Sequence, residues 1–164
     1  QPEAKDGQPD PLDSWSARII DAISDNLAAV SLLPFGGPPW HPFIRWAKKS
    51  GSIHTSPVSL LVHNDQGLMI SFRGALALRE TIELTPPRLT PCLVCLAPCE
   101  TACPVDALSE DGYDTAACHA FLDTPAGADC MTNGCKARRA CPVSQGFPRD
   151  PAQSAFHMRS FHPC

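Results

Sequence analysis

Residues 92–104 read Cys92-Leu-Val-Cys95-Leu-Ala-Pro-Cys99-Glu-Thr-Ala-Cys103-Pro104, and the chain then supplies Cys118, Cys130, Cys135 and Cys141-Pro142. Eight of the nine cysteines of this 164-residue chain fall in that stretch. Eight divide into two sets of four, and two of the eight precede a proline. Bacterial iron–sulfur loops place three close cysteines before a Cys-Pro whose cysteine ligates a second cluster. The pattern therefore predicts two 4Fe–4S clusters.

A cubane presents four iron corners. A short loop wraps three of them only when its cysteines lie two or three residues apart, with backbone N–H groups turned toward sulfur. Cys92, Cys95 and Cys99 have that form. The gap Leu96-Ala97-Pro98 is three residues where the common motif has two, so the loop is expected to bulge. The fourth corner is filled from a distance by the other Cys-Pro. This assigns Cys92, Cys95, Cys99 and Cys141 to cluster 1, and Cys103, Cys118, Cys130 and Cys135 to cluster 2. Cys164 is left as a free thiol.

Outside the cysteines, the composition fits a loop-rich α+β protein. Apolar residues make up 43% and charged residues 18%, enough for a core, while 18 prolines and 10 glycines favour short elements. The net charge of −4 argues against a nucleic-acid partner. Eight thiolates and two oxidised cubanes would take it to about −8, which suits basic patches on redox partner proteins. No apolar run approaches the ~20 residues of a membrane span. No secretory apolar stretch opens the chain, and a cytoplasmic location is expected. Gln1 stands where a methionine is usual, so a trimmed targeting segment stays open.

Along the chain, residues 1–12 read as a flexible tail and 13–90 as an N-terminal α+β part. Residues 91–148 form the dicluster module, and 149–164 a C-terminal helix. A helix capped by Asp13 or Ser14 carries Trp15, Ile19, Ile23 and Leu27 on one face, with Ile20 and Val30 widening the stripe. It ends before Leu33. A short helix from Pro42 turns Phe43, Ile44, Trp46 and Ala47 inward and stops at Lys48-Lys49-Ser50-Gly51. Val58–His63 and Leu68–Arg73 read as a hairpin around Asn64-Asp65-Gln66-Gly67. Gly74–Leu84 is ambiguous and reads as a possible further strand. After Cys141 the chain reads as loop to Pro151, then as a helix over 152–161 burying Phe156 and Phe161. The whole is expected as a small helix and hairpin part packed on a ferredoxin-like module. Without metal, the part after Pro91 should be poorly ordered.

The cysteine layout over about residues 91–143 resembles the cluster module of the epoxyqueuosine reductases and, more distantly, the reductive dehalogenases. It shares their tight triplet and Cys-Pro, the isolated Cys118 after Tyr113-Asp114, and the closing Cys…Cys…Cys-Pro group. Cys130 to Cys135 and Cys135 to Cys141 are longer than the family's spacing. The resemblance does not extend to a cobalamin-binding domain, for which the residues ahead of Cys92 are too few. Phe35-Gly36-Gly37-Pro38-Pro39, Ser71-Phe72-Arg73-Gly74-Ala75-Leu76 and Phe156-His157-Met158 are similar to segments of small bacterial ferredoxin-like proteins.

Two other chemistries use the same residues. Zinc takes Cys-x-x-Cys, but in separated pairs and with no call for a following proline. A disulfide scaffold sits badly with nine cysteines, an odd number. His119 could replace a cysteine at one iron, yet eight cysteines already suffice. His157, His162, Trp15, Trp40 and Trp46 are read as packing or surface residues. Lys136, Arg138 and Arg139 are either a patch that raises cluster potential or docks a partner, or a solvated face. No Gly-x-Ser-x-Gly, phosphate-binding glycine loop or His-Glu-x-x-His occurs, so no catalytic residue is assigned. The reading that follows is a carrier of single electrons. Its rivals are a cluster-bearing subunit of a cobalamin-type reductase and a zinc- or cluster-braced interaction or sensor protein.

Overall fold

Helix α1 (Pro11–Asn26) begins earlier than Asp13, because Pro11 has the fixed φ of a first-turn residue and no N–H to leave unpaired. In this computed structural model, residues 10–147 and 149–163 are described. The expected tail is thus helical from Pro11, while residues 1–9 and Cys164 lie outside the described residues. The fold is α+β, with short helices and three two-stranded antiparallel sheets.

The chain separates into two compact units, one running up to Lys49 with Ser71–Thr85, the other taking Ser50–Ile70 and Pro86 onward. This differs from a boundary near residue 90. The physical reason lies in the core: Val58, Val62 and Leu68 are buried with Cys99, Leu108, Ala137 and Cys141. The segment before the cysteines supplies the apolar wall against which they fold.

In the first unit, α1 is followed by β1 (Val30–Leu32) and α2 (Phe43–Lys49). The buried positions of α1 are Ser16 and Ser24; of the expected stripe Trp15, Ile19 and Ile20 are half-buried while Ile23 and Leu27 are exposed, so it is covered only in its first half. Polar contacts also fix the face. Ser16 donates to the Leu12 carbonyl and accepts from Arg73 Nε at 3.0 Å, and the Arg73 guanidinium pairs with Asp13. Val30 belongs to a strand, since the chain leaves α1 through Ala28 in the left-handed region. In α2, Ala47 is buried as expected but Ile44 is exposed.

The second unit opens with β2 (Ile53–Thr55) and β3 (Leu61–His63), paired Ile53 to His63 and Thr55 to Leu61. Strand β4 (Ala75–Ala77) belongs to the first unit and pairs with β1, so the ambiguous run after Gly74 does contain a strand. The expected hairpin partner, Leu68–Arg73, is not a strand. His63 and Gly67 close the turn by mutual backbone bonds of 3.0 Å, and Asp65 and Gln66 N–H groups donate to His63 Nδ1. Beyond it, Leu68 N–H donates to Ser144 Oγ at 2.8 Å and its carbonyl accepts from Arg138. Side chains of the cysteine region thus take the backbone groups a ladder would have used.

The cysteine region carries 3₁₀ turns at Pro91–Val94 and Pro125–Gly127, and β5 (Leu108–Ser109) paired with β6 (Gly112–Tyr113). Helices α3 (Thr115–Leu122), α4 (Ala128–Asn133), α5 (Lys136–Ala140), α6 (Pro142–Gln145) and α7 (Pro151–Phe161) follow. Helix α6 falls where a loop was expected, with Pro142 as its first residue. Helix α7 packs on α4, with Ser154 buried against Gly134, and Phe156 is exposed rather than buried.

Candidate metal centre

Each cysteine is delivered by a local device that the sequence dictates. Thr90 caps the 3₁₀ turn, its Oγ1 accepting from Cys92 N–H at 3.3 Å, with Pro91 at the first position. Ala97 stands in the left-handed region at φ 51°, and its carbonyl accepts from Glu100 N–H at 3.0 Å. This is the bulge that the longer Cys95–Cys99 gap was expected to make, and it turns the chain back toward Cys99. Cys135 and Cys141 each stand immediately before a short helix, α5 and α6. Asp114 caps α3 by accepting from Ala117 N–H at 2.9 Å, which sets Cys118 in its first turn.

Cys92, Cys95, Cys99 and Cys141 line one cavity, walled otherwise by groups that include Val62, Leu68 and Pro142. The cavity is small, about 20 Å³. Burial pushes the Cys99 thiol up, and repulsion from Cys141, Cys92 and Cys95 adds to it. Burial likewise raises Cys92, against a lowering bond from Thr90, and Cys141 and Cys95 raise it further. Burial raises Cys118, with Cys135 and Cys103 acting in the same direction. Burial also raises Cys130, with Cys135 adding to it. For each of these four thiols, the cysteines that bear on it belong to its own predicted set.

Sulfur also meets donors. Ala97 N–H donates to Cys95 Sγ at 3.4 Å and Ala107 N–H to Cys103 Sγ at 3.3 Å. Tyr113 Oη donates to Cys118 Sγ at 3.1 Å, and burial together with that bond raises its own pKa. Such donors stabilise charge on sulfur and are common partners of metal-bound thiolates.

All eight cysteines are free of disulfides. Among the described residues, no three His, Cys, Asp or Glu side chains converge closely enough to share one metal ion. A mononuclear zinc site gathers its thiolates onto a single ion at about 2.3 Å. A cubane instead spreads four thiolates over four iron corners. The four thiols that line one cavity, with an N–H donor at Cys95 Sγ and an apolar wall, are a donor set that a cubane could use.

The cations sort into two kinds. Arg139 and Lys136 both pair with Asp129, which accounts for them as local structure. Arg138 has no acidic partner among the described residues. It donates to the Leu68 carbonyl, and its charge bears on Tyr113. Arg149 is half-buried beside Arg138, its Nη1 3.6 Å from Met69 Sδ and its buried Nε without a hydrogen-bond partner among the described residues. His119 packs edge-on to Phe161 and His162, its Nε2 buried and unpartnered among the described residues. Sequence reasoning missed Tyr113, Thr90 and Arg149. Thr90-Pro91 before a cysteine and the chain's single tyrosine five residues ahead of Cys118 were the available signals.

Fold and site together define an α+β protein in which Cys92, Cys95, Cys99 and Cys141 line one small cavity. Compared with family models, curated proteins and solved structures, the chain matches none of them.

Proposed function

We propose that the protein carries two 4Fe–4S clusters and passes single electrons between redox partner proteins, with the cysteine unit acting as a ferredoxin-like dicluster module. Cys92, Cys95, Cys99 and Cys141 would hold one cluster; Cys103, Cys118, Cys130 and Cys135 the other. The observation that carries this reading is the grouping of the thiols: one set lines a single cavity, and the charges that bear on each raised thiol come from its own set. A cluster supplies reversible one-electron chemistry, and the chain's part is to hold it, bury it and place donors at its sulfurs. The likeness of the cysteine layout to epoxyqueuosine reductases supports the same cofactor.

The test is iron and acid-labile sulfide per chain on anaerobically purified protein, followed by EPR after dithionite reduction. About eight of each, with interacting S = 1/2 signals, is the expected result. Zinc without sulfide and without a signal would overturn it. Cys99→Ala and Cys103→Ala should each lose iron, one from each set. A variant that kept full iron and sulfide would refute that ligand assignment.

A further inference from the structure

The segment from Pro34 to Lys49 holds a feature that the cysteine centre does not use. An open cleft of about 730 Å³ lies within the first unit, lined by Trp40, His41, Phe43, Arg45, Lys48 and Lys49 among others. That volume falls within the roughly 300–1,000 Å³ of small-molecule sites. No acidic residue lines it.

Its aromatic residues are not equivalent. His41 stacks on Trp46 with centroids 5.6 Å apart and planes 27° apart, and Phe43 lies 5.4 Å from Trp46. Those rings satisfy one another. Trp40 is 69% exposed. A Cβ added at Gly37 would come within 2.5 Å of both Cδ2 and Cε3 of the indole, so only glycine lets the ring lie this close to the backbone. Gly37 covers the indole on one side, and the exposure of Trp40 leaves the rest of the ring open. A fixed, uncovered indole in a cleft is a stacking platform for a planar ring.

The charge beside it has one sign. Arg45, Lys48 and Lys49 are exposed, and none of the three is in an ion pair among the described residues. Lys48 and Lys49 complement the carboxyl end of α2, which explains their position on the helix. It does not explain Arg45, or why an open indole shares their cleft. Guanidinium and ammonium groups together are the usual holders of phosphate.

We propose that this cleft binds a mononucleotide, its planar ring stacked on Trp40 and its phosphate held by Arg45, Lys48 and Lys49. A bare phosphate would leave the indole without a role, and an uncharged ring would leave the cations without one. The proposal stands on the first unit alone and is independent of the metal centre.

Isothermal titration calorimetry of the full chain with FMN, AMP and inorganic phosphate tests it. Saturable binding of FMN or AMP at one site per chain, at least tenfold tighter than phosphate alone, is expected. Trp40→Ala should weaken it about tenfold or more, the loss of one stacking contact. Lys48→Gln with Lys49→Gln, which removes both charges without placing acids at the carboxyl end of α2, should weaken it at least as much, with iron content and circular dichroism unchanged. Absence of saturable binding by either mononucleotide, or binding that survives both the Trp40 and the lysine changes, overturns the proposal. So does binding only of single-stranded oligonucleotide or of anionic phospholipid vesicles.

Discussion

Arg138 and Arg149 are half-buried, and neither is in an ion pair among the described residues. Burial, then the charge of Arg138, lowers the Arg149 pKa. Buried cations without acidic partners are costly unless another negative charge compensates them. Two clusters ligated by eight thiolates would supply that charge. If the proposed clusters are bound, Arg138→Met should therefore lower the reduction potential of the one held by Cys118, by an amount on the order of tens of millivolts. Tyr113→Phe, which removes the O–H donor from Cys118 Sγ, should act in the same direction with iron content unchanged. Potentiometric EPR titration reads both. Unmoved potentials at full iron content would relegate these residues to packing.

Asp65 shows what an ordinary surface pair contributes. The hydrogen bond from Arg88, at 2.7 Å, holds its carboxyl below the usual carboxylate range, helped by the charges of Arg88 and His63. A depressed folded-state pKa gives stability that is present above the unfolded value, about 3.9, and is lost as pH falls through the folded value. Both side chains are well exposed, so the effect is small and screened by salt. Asp65→Asn should cost a little stability near neutrality and none below the folded pKa, so that the variant loses less stability than the parent between about pH 6 and pH 3, measured by urea unfolding at low salt. An equal loss at pH 3 and pH 6 would show that the pair does not titrate with folding.

At the scale of elements, the turn at Gly67 shows why the sequence was only partly legible. The alternation Val58–His63, the turn residues and the apolar run after Gly67 all read as one hairpin, and β3 does lie in the first run. The second run has no ladder because Ser144 and Arg138, more than seventy residues on in one case, capture the Leu68 backbone. No local pattern carries such a contact. Similarly, α1 was legible as a helix from its period, but the expected caps Asp13 and Ser14 lie inside the helix, where Arg73 reaches Asp13 and Ser16. The gathering of Cys92, Cys95, Cys99 and Cys141 at one cavity was legible because cysteine is rare and two of the three gaps are local. The short strand β1 was not, since three residues hold too little alternation, and β4 was legible only as an ambiguous run after Gly74. Gly67 itself sits at φ 59°, where an added Cβ would overlap Ser144. Gly67→Ala should cost about 2 kcal/mol or more, the left-handed penalty plus the clash. Chemical denaturation measures it; a loss under about 0.5 kcal/mol would mean the Ser144 contact gives way freely.

At the scale of the molecule, the second unit buries little carbon for its length. Its buried cluster holds Val58, Val62, Leu68, Leu108 and Ala137, and the other buried members are Cys99 and Cys141. Large apolar side chains next to the cysteines face solvent: Val94 is 92% exposed and Leu96 is 98% exposed. The prolines and the one-turn helices add few backbone hydrogen bonds of their own. A unit with so small a core commonly depends on metal for its folding free energy. Removal of iron by chelator under oxidising conditions should then abolish slow amide exchange at Val62 and Leu68, along with near-ultraviolet dichroism from the second unit. Protection in α1, held by the Arg73 contacts to Ser16 and Asp13, should persist. Hydrogen exchange with mass spectrometry distinguishes the two units in one experiment. Protection at Val62 and Leu68 that outlasts the iron would mean that the protein core folds without its metals, and that the thiol pairs are preformed rather than assembled by the cluster.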